Sequence, residues 1–463
     1  MKADLMIPYQ NLFFHALFSL CIAFIITTLG IPVRWLQGLH TYVHPENLGN
    51  DGPRGNVRAA IRPPSSSDMG DLGANAFHTF SDHKRRSSRS KEKFEFDETN
   101  AQIYRLRLVD AHLRSRLFFG DFNLATIYSI AASLNLLLHH FLPAPENNDR
   151  FLSGGSAVPV GLGLLAISKI VVIWAKISFD KSASKRSDKQ LSILLALLGF
   201  LTVLLVILVA APSCFDFEFH SLHGSPVLIL AICAGAVTSF LSLAAGKIAR
   251  SFWLGTDQLR WNLSVISCGT FSRILLYTSI FMAVFASSLW VNPVVEIFVR
   301  KEGSPAGWPT TEVLSGRMGM VRPDFMKFRV WCLLVSAILQ LLVLRPMLQM
   351  YLNEAVLSWY QRLHSSKVPD LDYSRAKMFL HNYYFCLVVL QFFAAPMLVL
   401  LFTGLSVMRG NLFQDFPFIR SLTHLSSATK EVALFMAWWV LFVWTAFTSG
   451  SLLLYRLGFS FVS

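Results

Sequence analysis

The sequence predicts an all-α, polytopic helical membrane protein with about nine transmembrane helices and amphipathic cytosolic helices. The chain of 463 residues is 53% hydrophobic and 15% charged, whereas soluble domains carry about 25% charged residues. Apolar stretches of about 20 residues recur along it, and one such stretch crosses the ~30 Å core of a bilayer as a helix. These observations exclude an ordinary soluble domain.

The nine spans are predicted, in order, at residues 12–33, 118–141, 157–179, 191–211, 226–246, 273–292, 328–346, 379–403 and 432–455. Residues 1–36 form an N-terminal transmembrane anchor in this interpretation. Its apolar run is longer than the core of a usual signal peptide, and no small-residue cleavage site follows it. We therefore expect an uncleaved anchor, with a cleaved signal peptide as the alternative.

A long polar stretch separates the first predicted span from the other eight. Residues 37–100 are predicted to form a disordered cytosolic loop, because the stretch is rich in charge, serine and proline. Ser87 and Ser88 follow a basic cluster and are possible phosphosites for a basophilic kinase. A merely solvated basic patch is the alternative. Residues 101–463 are predicted to form an eight-helix transmembrane bundle.

Lysine and arginine counts predict the orientation of the spans. The loops after spans 3, 5 and 7 are rich in these residues, and such loops stay on the cytosolic side. This places the N-terminus outside and the C-terminus in the cytosol. The loop after span 6 is also basic, but long loops translocate largely regardless of charge. Asn262, in the only Asn-x-Ser/Thr sequon of the sequence, then lies in a cytosolic loop, and we expect no glycan on it.

The net charge of +13 indicates that the cytosolic face has negatively charged partners. The basic residues are dispersed among the loops, so we expect contact with the lipid bilayer, in particular with anionic lipids, and no nucleic-acid binding. Membrane-protein partners are a further expectation. Three segments show helical amphipathic spacing and are predicted to lie along the membrane or to extend a span: residues 103–117, 247–270 and 348–363.

Ionisable side chains at membrane depth are costly and are candidates for function. The predicted spans place four cations and three neutral amides in a candidate intramembrane polar core: Lys169, Lys176, Arg273, Arg345, Asn135, Gln340 and Gln391. No acidic residue lies centrally in a span, which argues against cation-coupled transport. A buried Lys169 fits an anion or a lipid headgroup. The alternative is a structural lysine bonded to backbone carbonyls and to Asn or Gln.

No catalytic or metal-binding motif is present in the sequence, so we expect a protein that is not an enzyme and has no cofactor. The six cysteines form no Cys-x-x-Cys pair, and neither a disulfide framework nor a zinc site is indicated.

Several short sequences resemble the transmembrane protein 161 family. The motif runs through Arg329, Trp331, Arg345, Leu348, Gln349, Tyr351, Leu352 and Asn353. Leu289–Pro293, the pair Trp438 and Trp439, and an early Tyr42 also look like the family. The resemblance implies a eukaryotic multipass protein of a secretory-pathway membrane, either the plasma membrane or the endoplasmic reticulum. It implies no reaction, since the family has no settled biochemical activity.

The sequence favours a non-enzymatic, regulatory or scaffolding membrane protein that influences ion flux. The alternative is a transport pathway for an anion or a lipid headgroup that uses Lys169 and Arg273. The two functions differ in one structural feature, because transport needs a water-accessible cavity at Lys169, whereas a scaffold needs none.

Overall fold

A computed structural model describes residues 10–43, 57–61, 103–141, 156–179, 186–210, 213–217, 219, 224–256, 268–299, 319–364, 384–408, 412–413 and 423–459. These residues fall into two units. The helical unit contains Met1–Leu39, Leu108–Glu354 and Asn382–Ser463, and the second unit contains His40–Arg107 and Ala355–His381. Ser87, Ser88 and Asn262 lie outside the described residues.

The described chain is mainly helical. Its helices are α1 Gln10–Thr28, α2 Ile31–Leu36, α3 Asp110–Arg114, α4 Phe119–Phe141, α5 Ala157–Phe179, α6 Arg186–Leu205, α7 Ser225–Thr256, α8 Thr270–Ser288, α9 Asn292–Phe298, α10 Arg322–His364, α11 Phe385–Val407 and α12 Thr423–Arg456. A π-helical turn, Val206–Ala210, continues α6. Three strands complete the list: β1 His40–Val43, β2 Val57–Ile61 and β3 Ile103–Arg107.

Eight of the described helices are long and apolar enough to cross a membrane: α4, α5, α6, α7, α8, α10, α11 and α12. They coincide with predicted spans two to nine, so the predicted fold class is confirmed. The first predicted span corresponds to α1, whose apolar part, Leu12–Thr28, is shorter than the others. At a rise of 1.5 Å per residue, this helix reaches a little less than the thickness of a bilayer core.

The centre of the helical unit is α11, which packs against α12, α4, α5 and α7. In its most apolar window 83% of the residues are buried, against 22% for the segment that contains α6 and 28% for α8. A helix that is apolar all round belongs inside such a bundle, whereas α6 and α8 present much of their apolar surface outward.

Small residues bring α6 and α7 close together. A Cβ atom on Gly235 of α7 would lie 2.7 Å from the carbonyl oxygen of Ala196, and one on Gly199 of α6 would lie 2.6 Å from Thr238 Oγ1. Small side chains allow this approach of two helix backbones in a membrane. Gly235 and Gly199 therefore allow α6 and α7 to pack closely against each other within the chain.

The second unit contains a three-stranded antiparallel sheet in the order β1-β3-β2. Tyr42 of β1 lies opposite Arg105 of β3, and burial raises the pKa of the Tyr42 hydroxyl against the opposing effect of Arg105. The sheet was not predicted, since β1 and β2 lie within residues 37–100, which were expected to be a disordered loop. The other residues of that loop are outside the described part of the chain.

The predicted amphipathic helix at residues 103–117 is wrong. Residues 103–107 form β3, and only the five residues of α3 are helical before α4 begins. In β3 the backbone hydrogen bonds are made with β1 and β2. The helical spacing of the apolar residues did not indicate this strand pairing. Of the arginines in this segment, Arg114 is exposed and pairs with Asp110 at 2.7 Å. Arg116 is half-buried, and burial lowers the pKa of its guanidinium.

The other two amphipathic segments extend spans. Helix α10 runs without interruption from Arg322 to His364, so the prediction that span 7 continues as one long helix is confirmed. Helix α7 likewise continues past its predicted span as far as Thr256. Residues 257–267 lie outside the described residues.

Candidate functional site

The predicted polar core is not one cluster. Lys169 lies on the exposed face of α5, on the same side as the exposed Leu165 and Val172. Lys176, two turns further along α5, pairs with Asp121 of α4 at 2.9 Å and is 60% exposed. Arg345 is exposed and donates to the backbone carbonyl of Gln37 at 3.0 Å. These three cations therefore lie on the surface of the helical unit, because the helix faces that carry them point away from its centre.

Asn135 of α4 is fully buried, and it bonds to α1 rather than to Lys169. Its Oδ1 lies 2.6 Å from Nδ1 of His15, and its Nδ2 donates to the His15 carbonyl oxygen at 3.1 Å. The same amide nitrogen also donates to Ser19 Oγ. Asn135, His15 and Ser19 thus form a polar contact that fastens α1 to α4 inside the apolar interior.

Gln391 belongs to a charged cluster formed by Lys247, Arg250, Glu354 and Gln391. Lys247 Nζ of α7 donates to Gln391 Oε1 of α11 at 2.9 Å. Arg250 Nε of α7 lies 2.6 Å from Glu354 Oε1 of α10. The side chains of Arg250 and Glu354 are 31% and 16% exposed, so the ion pair is largely buried. The cluster joins three long helices at one end of the unit, which we call the Glu354 end.

The C-terminal part of the family-like motif, from Leu348 to Asn353, precedes Glu354 directly on α10. Leu348 and Leu352 are buried and contribute to the core. Gln349 Nε2 donates to Asn353 Oδ1 at 2.8 Å, and Asn353 is 5% exposed. The ring of Tyr351 meets Phe392 of α11 edge-on, with centroids 6.2 Å apart. This part of the motif therefore builds the α10 side of the Glu354 end.

A small cavity lies beside the charged cluster. Its volume is about 20 Å³, enough for one water molecule. Its walls are mainly apolar and come from five helices; they include Ile248, Leu276, Met347, Phe392 and Trp444. Two polar side chains, Ser279 of α8 and Gln340 of α10, also line it.

Gln340 is 7% exposed, and among the described residues its Nε2 has no hydrogen-bond partner. Arg273 lies on the same face of α8 as Leu276 and Ile280, which line the cavity. Its Nε is also buried and has no hydrogen-bond partner among the described residues. Gln340 and Arg273 are thus the two members of the predicted polar core that the structure places near one cavity.

The opposite end, which we call the Asp216 end, contains a buried arginine. Arg329 of α10 is 0% exposed, and its guanidinium carbon lies 4.4 Å from the ring centroid of Trp290 and 4.6 Å from that of Phe325. Arg329 Nη2 donates to Asp216, which also accepts from Arg322 Nη2 at 2.9 Å. An arginine can stack on aromatic rings and bind a carboxylate together, which offsets the burial of its charge.

The segment that carries Asp216 is held by backbone hydrogen bonds to the end of α8. Asp216 N donates to the Trp290 carbonyl at 3.0 Å, and Asn292 N donates to the Cys214 carbonyl at 2.9 Å. Phe217 stacks on Trp290 with ring centroids 4.6 Å apart. Two segments that resemble the family, Leu289–Pro293 and the one at Arg329, therefore meet around one carboxylate.

The two tryptophans of the last span are interhelical donors. Trp438 Nε1 donates to the Ser287 carbonyl of α8 at 3.0 Å, and Trp439 Nε1 donates to Thr238 Oγ1 of α7 at 3.1 Å. Both rings are buried. A buried indole needs such a partner, so these bonds fix α12 against two neighbouring helices. Trp331 of the motif is in contrast 56% exposed.

Sequence reasoning did not select several residues of these clusters: Asp216, Lys247, Arg250, Glu354 and His15. Each lies at or near the end of an apolar stretch, where a charged or polar residue is ordinary. The only signal was that Glu354 follows the family-like motif directly, and that Lys247 and Arg250 are one turn apart. Within the described residues, no three His, Cys, Asp or Glu side chains lie together as a potential metal site.

Long apolar helices around a buried central helix, joined by pairs of charged and polar side chains, define a polytopic helical membrane protein. The chain is thus an integral membrane protein. A family model described as predicted transmembrane protein 161AB matches residues 225–414, which include the charged cluster, Trp290 and the motif on α10. This match over about two fifths of the chain supports the assignment to the transmembrane protein 161 family that the sequence motifs predicted. No solved structure matches it.

Proposed function

We propose that this chain is a non-enzymatic, regulatory or scaffolding membrane protein that influences ion flux by acting on partner proteins in the same membrane. The observation that supports this proposal best is the pairing of interior polar groups across helices. Lys247 meets Gln391, Arg250 meets Glu354, and Arg329 meets Asp216. Such pairs fix helices relative to one another, whereas a transport site needs polar groups that are free to exchange partners.

The alternative, a pathway for an anion or a lipid headgroup through Lys169 and Arg273, has less support. Lys169 is exposed on the outer face of α5. Asn135 and Gln391, which were expected to surround it, bond to His15 and to Lys247. The cavity near Arg273 holds about one water molecule, which is far smaller than a continuous pathway.

The partner surfaces of this proposal are the outward faces of α6 and α8. Their apolar side chains contact lipid in the absence of a partner, and helices of other membrane proteins can replace that lipid at little cost. In the proposed orientation the N-terminus is outside and the C-terminus is cytosolic, within a membrane of the secretory pathway. The Glu354 end then faces the cytosol, in accord with the basic loops predicted there.

Site-specific photo-crosslinking in cells tests this proposal. A diazirine amino acid replaces Leu197 on α6, which is 60% exposed, or, as a matched control, Leu401 on α11, which is fully buried. We expect defined adducts with other membrane proteins from Leu197 and none from Leu401. If the exposed position gives lipid adducts alone, and the purified protein carries an anion or a lipid across vesicles, the transport alternative replaces the proposal.

A further inference from the structure

We propose that the cleft between α8 and α10 binds one acidic glycerophospholipid, whose phosphate accepts hydrogen bonds from Arg273 and whose ester carbonyl oxygen accepts one from Gln340. The proposal goes beyond the scaffolding function and does not rest on it. It concerns the small cavity at the Glu354 end together with Arg273, which lies one helical turn nearer that end.

Two unsatisfied donors point to a ligand that supplies acceptors. Gln340 Nε2 and Arg273 Nε are both buried and have no hydrogen-bond partner among the described residues. A buried donor without a partner costs free energy, and in a bilayer no bulk water is available to replace the partner. A phospholipid carries only acceptors at its phosphate and esters, so it satisfies both groups at once.

The cavity is large enough for one oxygen atom of a lipid, but not for the whole lipid. Its volume of about 20 Å³ accommodates one water or, equally, one carbonyl oxygen that enters from the side. Helix α8 lies at the periphery of the helical unit, with 28% of its apolar window buried, so a lipid can reach the cleft. The rest of the lipid would remain outside the cavity.

The order of the donors matches the order of groups along a phospholipid. Arg273 precedes the cavity-lining Leu276 by three residues and Ile280 by seven, so it lies nearer the Glu354 end than the cavity that Gln340 lines. In a glycerophospholipid the phosphate likewise lies farther from the bilayer centre than the ester carbonyls. The donors are thus arranged with the cation nearer the helix end and the amide deeper.

The surroundings suit both parts of such a lipid. Ile274, Tyr277 and Phe281 of α8 are 66%, 53% and 71% exposed and form an apolar stripe beside the cleft for an acyl chain. Lys247, next to the cavity-lining Ile248, adds positive potential for a negatively charged headgroup. Anionic lipids are enriched on the cytosolic leaflet, which is the side proposed for this end.

Lipid retention by the purified full-length protein tests the proposal. Native mass spectrometry records the bound lipid after incubation with palmitoyl-oleoyl phosphatidylserine or with the corresponding phosphatidylcholine. We expect Arg273→Gln to lower phosphatidylserine retention about tenfold, as for one lost charged hydrogen bond, and to abolish the preference over phosphatidylcholine. Gln340→Leu should lower the retention of both lipids, because both carry ester carbonyls. Lys169→Gln, which removes an exposed charge from α5, should change neither.

Three results would overturn the proposal. The first is an equal loss of phosphatidylserine in Arg273→Gln and Lys169→Gln, which indicates non-specific attraction. The second is unchanged preference in Arg273→Gln. The third is unchanged retention of both lipids in Gln340→Leu, which indicates that only water occupies the cavity. If a variant does not fold, wild-type protein is crosslinked to phosphatidylserine carrying a diazirine near the glycerol. Adducts in Thr270–Ser288 or Arg322–His364 then support the site, and adducts elsewhere alone contradict it.

Discussion

The guanidinium carbon of Arg329 lies 4.4 Å from the centroid of the Trp290 ring, and the Arg329 side chain is fully buried. Phe325 covers the guanidinium at 4.6 Å, and Asp216 accepts its hydrogen bond. The charge is therefore compensated by a carboxylate and by the faces of two rings. This contact ties α10 to the end of α8 and to the segment at Asp216.

Replacement of Arg329 by lysine should destabilise the protein strongly. Lysine keeps the charge but loses the planar fork that stacks on Trp290 while it binds Asp216. Removing one partner of a buried ion pair costs about 3–5 kcal/mol, and the lysine variant should approach the lower end of that range. Thermal unfolding of the full chain in detergent measures the loss as a lower midpoint temperature.

Arg322→Lys is the matched control for this prediction. Arg322 binds the same carboxylate, but its side chain is 55% exposed, and exposed pairs contribute about 0–1 kcal/mol. Its midpoint should stay close to that of the wild type. Equal midpoints for Arg329→Lys and wild type would show that the stacked, buried arrangement contributes nothing.

Because α6 and α7 pack closely, alanine should affect stability differently at two glycines of α7, Gly235 and Gly246. In Gly235→Ala the new Cβ would lie 2.7 Å from the Ala196 carbonyl oxygen, so the helices must separate and the protein should lose about 1–3 kcal/mol. Gly246→Ala places its Cβ where no atom lies within 4 Å, and alanine favours a helix over glycine by about 1 kcal/mol. Unfolding midpoints should fall for the first variant and hold or rise for the second. The opposite order would contradict the packing of α6 on α7.

The contact between Asn135 and His15 should behave as a coupled pair. Asn135→Leu leaves the buried His15 and Ser19 without their partner, and His15→Leu leaves Asn135 short of one bond. Each single change should cost about 1–3 kcal/mol, the cost of a stranded buried polar group. The double variant should cost less than the sum of the two, because it leaves fewer groups unsatisfied. Strict additivity in the thermal midpoints would indicate that α1 does not depend on this contact.

Lys169 is expected to tolerate replacement by leucine. Its side chain is exposed on α5, and an apolar residue suits a lipid-facing position better by about 2.5–3.5 kcal/mol on insertion scales. Lys169→Leu should therefore leave the unfolding midpoint unchanged or raise it. Lys176→Leu, which removes the partner of Asp121, serves as comparison and should lower it slightly. A large loss in Lys169→Leu would reinstate a structural role for this lysine.

The sequence was sufficient to predict the spans, because a run of apolar residues long enough to cross a bilayer has few other structures available. It also predicted the long α10, since the apolar stripe continues past the span. It failed at residues 103–107, where five residues support a helical pattern and a strand equally well. Short segments of this kind are decided by their pairing partners, here β1 and β2.

The candidate site was predicted less well, because it depends on which helix faces meet. Lys169 is the most costly residue by depth, yet rotation of α5 places it outward. Gln391 belonged to the predicted polar core, but its partner Lys247 lies 144 residues away in the chain. Asp216 lies in the segment between α6 and α7, and nothing in its neighbourhood along the sequence indicates Arg329 as its partner.

We propose that this protein acts on partner proteins and does not itself carry solutes or lipids across the membrane. The most direct measurement is flux in liposomes reconstituted with the purified full chain, with a halide-quenched dye for anions and dithionite bleaching of a labelled phospholipid for lipid transfer. We expect rates equal to those of protein-free liposomes for the wild type and for Arg273→Gln. Flux above that background in the wild type, reduced by Arg273→Gln, would contradict it.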